Sequence, residues 1–275
     1  MKPASKQVVV CGAFDDLRSW HIRFLEEAAK PGLLTVLLWK DESLRRFTGI
    51  APKFLQAERE YFLRAIRFVN QVIPVDCPAN LNSLPGVAGL RPDCWAVEEP
   101  QDSAEKKSYC SARDIEYRVI KDDALCGFPE SPAAPPIASR KKVIVTGSYD
   151  WFHSGHVRFF EEASARGDLY VVVGHDANIR LLKGEGHPRF PQEERRYMVQ
   201  SIRFVTETLI STGHGWLDAE PEIQRVKPDI YAVNEDGDKG GKREYCEKHG
   251  IEYLVLKRTP APGLPRRSST DLRGF

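Results

Sequence analysis

The sequence predicts an α/β protein of two tandem, doubly wound (Rossmann-like) parallel-sheet domains. Three observations lead there. A chain of 275 residues is long enough for about two domains, each with its own core. Continuous apolar strands alternate with amphipathic helices, the pattern of a parallel sheet covered on both faces. The chain also repeats itself. FDDLRSWHIRFLEEAA from Phe14 aligns with YDWFHSGHVRFFEEAS from Tyr149, eight of sixteen positions being identical at an offset of 135 residues. After a one-residue gap Glu58-Arg59 meets Glu194-Arg195, IRFV recurs at Ile66 and Ile202, and IEY recurs at Ile115 and Ile251. A tandem duplication is the reading, with copies at 1–133 and 134–275.

Each copy opens on a β-branched run, VVVCG from Val8 and VIVTG from Val143, that predicts a buried strand. A turn leads into an amphipathic helix carrying RF-x-EEA. A second strand follows as LLTVLLW from Leu33 and LYVVVG from Leu169. In the second copy a polar loop then leads to a helix at 192–204, with Met198, Ser201, Ile202 and Val205 at helical spacing. A strand at 230–233, a helix at 242–249 and a strand at 252–257 complete the unit. Residues 121–142, with four prolines and no periodicity, read as a linker with its boundary near Ala133.

Composition narrows the function. Forty Lys+Arg against 39 Asp+Glu leave no basic excess to release phosphate counterions, which argues against a nucleic-acid binder. No apolar run approaches the roughly 20 residues of a membrane span, and the N-terminus reads as a strand instead of a secretory signal. The six cysteines lack CxxC spacing, which argues against a zinc site or a disulfide framework and for a cytoplasmic protein.

The chemistry concentrates in the second copy, in TGSYDWFHSGH, which closes its first strand. Gly147 lets the chain turn. His153 and His156, three apart where the helix begins, project to one side, and Gly155 admits an anion close to the backbone. The helix N-terminus adds free N–H groups and partial positive charge. Lys183-Gly184 in a loop, Arg195 early in the next helix, Arg258-Thr259, and Ser268, Ser269 and Thr270 before Asp271 supply further anion contacts.

These motifs, with KGEGHPRFPQEERRYMVQSIRFV, resemble the cytidylyltransferase-like nucleotidyltransferases, and among them are most similar to the ethanolamine-phosphate cytidylyltransferases. DANIRLLKG also resembles the adenylyltransferase half of bifunctional heptose enzymes. The resemblance implies transfer of CMP from CTP to a phosphoethanolamine-like phosphorylated alcohol, with pyrophosphate released and a place in phospholipid biosynthesis. The alternatives are adenylyl transfer to a sugar phosphate, or a nucleotide-binding regulator without catalysis. It implies His153, His156 and Lys183 as catalytic groups on the phosphates. Gly147, Tyr149, Asp150, Gly155, Arg195, Asp236, Arg258, Ser268, Ser269 and Thr270 would bind nucleotide or acceptor. Mg²⁺ would come with the nucleotide, and no residue would ligate a metal by itself. The longer link PAPGLPRR before Ser268, and Asn234-Glu235 before Asp236, depart from the family pattern and bear on nucleotide identity more than on reaction class.

The first copy lacks this set. Arg18 stands at the position of His153, Trp20 at that of Gly155 and Thr48 at that of Lys183; His21 alone matches His156. An indole replacing the glycine is expected to block phosphate. The first copy is therefore expected to be a non-catalytic partner, forming an intramolecular pseudo-dimer with the second, with a homodimer as a further arrangement.

Overall fold

The computed structural model describes residues 5–130, 137, 139–269 and 272; Ala133, Thr270 and Asp271 lie outside them. The chain divides into two compact units, Met1–Gly127 and Phe128–Phe275.

In the N-terminal unit β1 (Lys6–Gly12), β2 (Gly32–Trp39), β3 (Val69–Val75), β4 (Cys94–Glu98) and β5 (Glu116–Ile120) form one parallel sheet in the order β3-β2-β1-β4-β5. Helices α1 (Ser19–Ala29), α2 (Asp41–Thr48), α3 (Gln56–Ala65) and α4 (Ala104–Ser111) connect the strands. The C-terminal unit repeats the plan. Its strands β6 (Lys142–Gly147), β7 (Asp168–Val173), β8 (Val205–Ile210), β9 (Ile230–Asn234) and β10 (Glu252–Leu256) pair as β10-β9-β6-β7-β8, all parallel. Its helices are α5 (Ser154–Ser164), α6 (Asp176–Lys183), α7 (Gln192–Gln200), α8 (Glu220–Val226) and α9 (Lys242–His249).

Both sheets are buried on both faces, which is why their strands read as unbroken apolar runs. Val8–Val10 and Val143–Val145 are wholly inaccessible. Even the irregularities coincide, since register slips between Leu34 and Thr35 and again between Leu169 and Tyr170. In the C-terminal unit Ile144, Tyr170, Val172, Ile223 and Tyr231 pack one face of the sheet.

Two expectations change. The helix expected at 192–204 ends at Gln200, and Val205 begins β8. The β-branched VTETLI pairs with β7, and sheet pairing overrides a helical spacing that happened to continue. Lys183, expected in a loop, is the last residue of α6, whose C-cap Gly184 leaves the helix at φ +87°.

Central β6 has β7 on one side and β9 on the other, so the chain crosses over in opposite directions from it. Such a switch point opens a crevice at the carboxyl ends of the strands.

Candidate active site

The turn after β6 builds the floor of that crevice. Tyr149 is buried at φ 50°, a strained backbone for an aromatic residue, and its ring lies over Gly147, where a Cβ would come within 2.9 Å of it. The Tyr149 hydroxyl, buried beside the crevice, finds no hydrogen-bond partner among the described residues. Burial pushes its pKa well above the ordinary value.

Helix α5 starts at the crevice. His153 is its N-cap: the buried imidazole accepts the Gly155 N–H at Nδ1, 3.1 Å away. A Cβ on Gly155 would stand 2.9 Å from that ring, so the glycine is needed here. One turn on, His156 stacks on His153 at 4.0 Å between centroids, with Phe152 and Tyr149 also against it. Its Nδ1 has no hydrogen-bond partner among the described residues. Burial, then His153, Arg258 and Lys183, hold its pKa well below the ordinary histidine value, so the ring is neutral at pH 7.

Cations ring the pair. The Lys183 Nζ donates to Ser148 Oγ at 2.7 Å. Arg258, just after β10, donates to Asp236 at 2.5 Å and to the Arg267 carbonyl at 2.9 Å. The segment carrying Ser268 and Ser269 is thereby drawn to the start of α5, where the Ser269 hydroxyl donates to the Trp151 carbonyl. The resulting cleft of about 150 Å³ brings together Gly147, Tyr149, His153, Gly155, His156, Asp236 and Arg258. It also includes Lys242, which the sequence reading missed. Lys242 opens α9, donates to the Gly237 carbonyl at 3.0 Å and has its pKa lowered mainly by burial. Its match in the first copy, Lys106, was the available signal.

Asp150 and Arg195 serve the scaffold. Asp150 Oδ1 accepts the backbone N–H groups of Arg189 and Phe190. Arg195, 1% exposed, donates to the carbonyls of Phe190, Ser148 and Gly174 and to Asp176. Its donors thus go to loops of the fold, not out to the cleft, because deep burial demands acceptors on every side. The N-terminal unit repeats both devices. Asp15 accepts from Lys53 and Phe54, and Arg59 donates to Phe54, Ala13, Trp39 and Asp41. Both devices are thus present where the histidine pair is missing.

Trp20, 49% exposed, stacks on His21 at 3.5 Å between ring centroids and borders an open cavity.

The switch-point cleft, paired histidines and encircling cations define a nucleotidyltransferase. The cytidylyltransferase-like family model matches residues 144–274, and the chain belongs to that family. Relatives called FAD synthase are similar to it. That of Ferroglobus placidus is 37% identical over 120 residues, spanning 42% of this chain and 75% of that protein. Those of Thermococcus kodakarensis and Methanospirillum hungatei are 37% and 33% identical, with 43% and 48% of this chain and 80% and 82% of theirs covered. They overturn the expected transfer of CMP from CTP to a phosphoethanolamine-like acceptor, and with it the expected role in phospholipid biosynthesis. The HSGH and SST motifs read as phosphate contacts, and since every nucleotide has phosphates such contacts carry no information on the base. Among the described residues no helix is long and apolar enough to cross a membrane.

Proposed function

We propose that the C-terminal unit transfers the adenylyl group of ATP to the phosphate of FMN, forming FAD and pyrophosphate. The stacked His153–His156 pair at the α5 N-terminus, ringed by Lys183, Arg258 and Lys242, supports phosphoryl chemistry. The name shared by the relatives supports the adenylyl donor and the flavin acceptor.

The acceptor phosphate is largely a dianion at neutral pH and needs no general base. Catalysis then consists of in-line positioning and charge stabilisation on the α-phosphate. Neutral His156 offers an N–H donor, and an approaching phosphate favours its protonation. The α5 N–H groups and His153 hold the α-phosphate, while Lys183 and Arg258 take the remaining phosphates. For Arg258 this means exchanging Asp236 for the nucleotide. Tyr149 offers its hydroxyl, and Ser268, Ser269 and Thr270 follow the arginine as further donors. Asp150 and Arg195 position these loops without touching substrate.

Mg²⁺ fits only as a companion of the triphosphate. Among the described residues no group of three His, Cys, Asp or Glu could hold a metal, and Asp236, the carboxylate of the cleft, is paired with Arg258. Phosphate oxygens and water would ligate the ion, which when bound supplies charge neutralisation.

We also infer that the units descend from one duplicated domain and that the first lost the transfer chemistry. Shared sheet order, matched Asp15/Asp150 and Arg59/Arg195 bonds, and the pairs Tyr117–Asp102 and Tyr253–Asp238 support it.

Pyrophosphate release with ATP or CTP, against FMN, a sugar phosphate and phosphoethanolamine, tests the acceptor and donor. FAD formed from ATP and FMN is expected. Turnover of a sugar phosphate with no turnover of FMN would overturn the flavin acceptor.

A further inference from the structure

The N-terminal unit has an open cavity of about 590 Å³ at the carboxyl ends of its strands, about four times the volume of the cleft in the C-terminal unit. Loss of the transfer residues has therefore not closed the site.

Its lining is aromatic. Trp20, Trp39 and Trp95 border it, with Phe14 and Phe24. Trp20 presents one face to His21, in a stack 3.5 Å between centroids, and about half its surface to solvent. Trp39 donates to Cys11 Sγ at 3.0 Å. Trp95 is different: only 3% exposed, its Nε1–H finds no acceptor among the described residues. A buried indole N–H beside an open cavity calls for an acceptor brought from outside. His21 accepts the Arg18 N–H at Nδ1, which leaves the proton of the neutral ring on Nε2. Burial lowers its pKa to about 4, so that neutral form holds at pH 7.

The charge is wrong for phosphate. Asp15, Glu98 and Asp102 outnumber the one lysine among the lining residues, Lys106, which donates to the Gln101 carbonyl at 2.6 Å. Where the other unit has Lys183 and Arg258, this one has Thr48 and Asp122. Phe14 stands for Tyr149, removing a hydroxyl. An acidic, aromatic cavity repels a polyanion and suits a flat, polarisable ring.

We propose that this cavity binds a planar nitrogen heteroaromatic ligand that carries no phosphate, in chemical class a nucleoside. The ring stacks on Trp20, and a ring acceptor meets the Trp95 N–H. The protein thus has a second small-molecule site in addition to its transfer site, one selective for the dephosphorylated form of the same kind of ligand. This assignment stands whichever acceptor the transfer site uses.

Isothermal titration of the full-length protein with adenosine and with riboflavin, a ribityl counterpart of a nucleoside, and with AMP and FMN as charged counterparts, tests it. Saturable binding of at least one of the two uncharged compounds, one per chain, is expected. Trp20→Ala should weaken that binding at least tenfold, Trp20→Phe should restore it, and Lys183→Ala should leave it unchanged. FMN and AMP binding should be insensitive to Trp20→Ala. Trp20 is half exposed, so its removal leaves the core intact. No saturable binding of either uncharged compound would overturn the proposal. So would binding of those compounds lost with Lys183 instead of Trp20, or a Trp20-dependent affinity for FMN or AMP equal to that for the uncharged compounds.

Discussion

His21 and His156 occupy matching positions, and burial depresses the basicity of both. For His21 the pKa falls to about 4 from an ordinary 6.5, so the unfolded chain takes up its proton first as pH drops. The stabilisation is fully present above pH 6.5 and is lost as pH falls through 4, up to ~3 kcal/mol in all. Urea midpoints at pH 7 and pH 4.5 measure this, and His21→Asn should flatten the difference; equal pH slopes in both proteins would rule it out. For chemistry the two histidines part company. His156→Ala is expected to lower kcat by about a hundredfold or more, the scale of one lost charge-stabilising donor, with little change in Tm. His21→Asn should leave kcat alone, and equal losses from the two would contradict a single transfer site. The sequence displayed these histidines because a helix N-terminus needs only local spacing. Their stacking partners and lost basicity depend on what packs over them, which no spacing records.

Arg59 and Arg195 act on whole elements. Each guanidinium joins the turn after the first strand, the end of the second strand, the loop before the following helix and an aspartate that opens a helix. Arg59→Ala and Arg195→Ala each strand buried carbonyls and a carboxylate, and should each cost about 3–5 kcal/mol in denaturant unfolding without nucleotide. An arginine that only gripped phosphate would leave that stability unchanged. The glycine opening the helix is held as tightly. Gly155→Ala drives a Cβ to 2.9 Å from the His153 ring, so the N-cap must move. Its expected result is a roughly tenfold or greater drop in kcat/KM with the sheet intact by circular dichroism, since a small misplacement near the reacting phosphate is costly. Glu194-Arg195 was visible in the sequence as a repeated pair, yet its pattern fitted a phosphate grip as well as a staple. Only the position of its acceptors, up to 47 residues away, separates the two.

At the scale of the molecule, one sheet plan occurs twice and the stacked histidine pair at a helix start once. ATP added to the full chain should slow amide exchange at the start of α5 and around Arg267–Ser269, and leave the matching turn at Ser19–His21 unchanged. Equal protection in both units would show that the first had kept its nucleotide site. The sequence by itself determined the α/β class, the repeat, the central strands and the helix-opening HSGH motif. Each of these is a periodicity or spacing within a short stretch, fixed by backbone geometry. It left β3 and β8, and the helices α2, α6 and α8, unread, because short polar or mixed segments take their state from the sheet they join. The relatives, and not the motif, overturned the expected cytidylyl transfer to a phosphoethanolamine-like acceptor. Tertiary structure alone decided where Arg195 spends its donors, that Ser269 reaches Trp151 across 118 residues, and that Trp20 stacks on His21 at the edge of an open cavity. The physical reason is that burial, charge and cavity shape are set by residues far apart in the chain, so they exist only once the chain has packed.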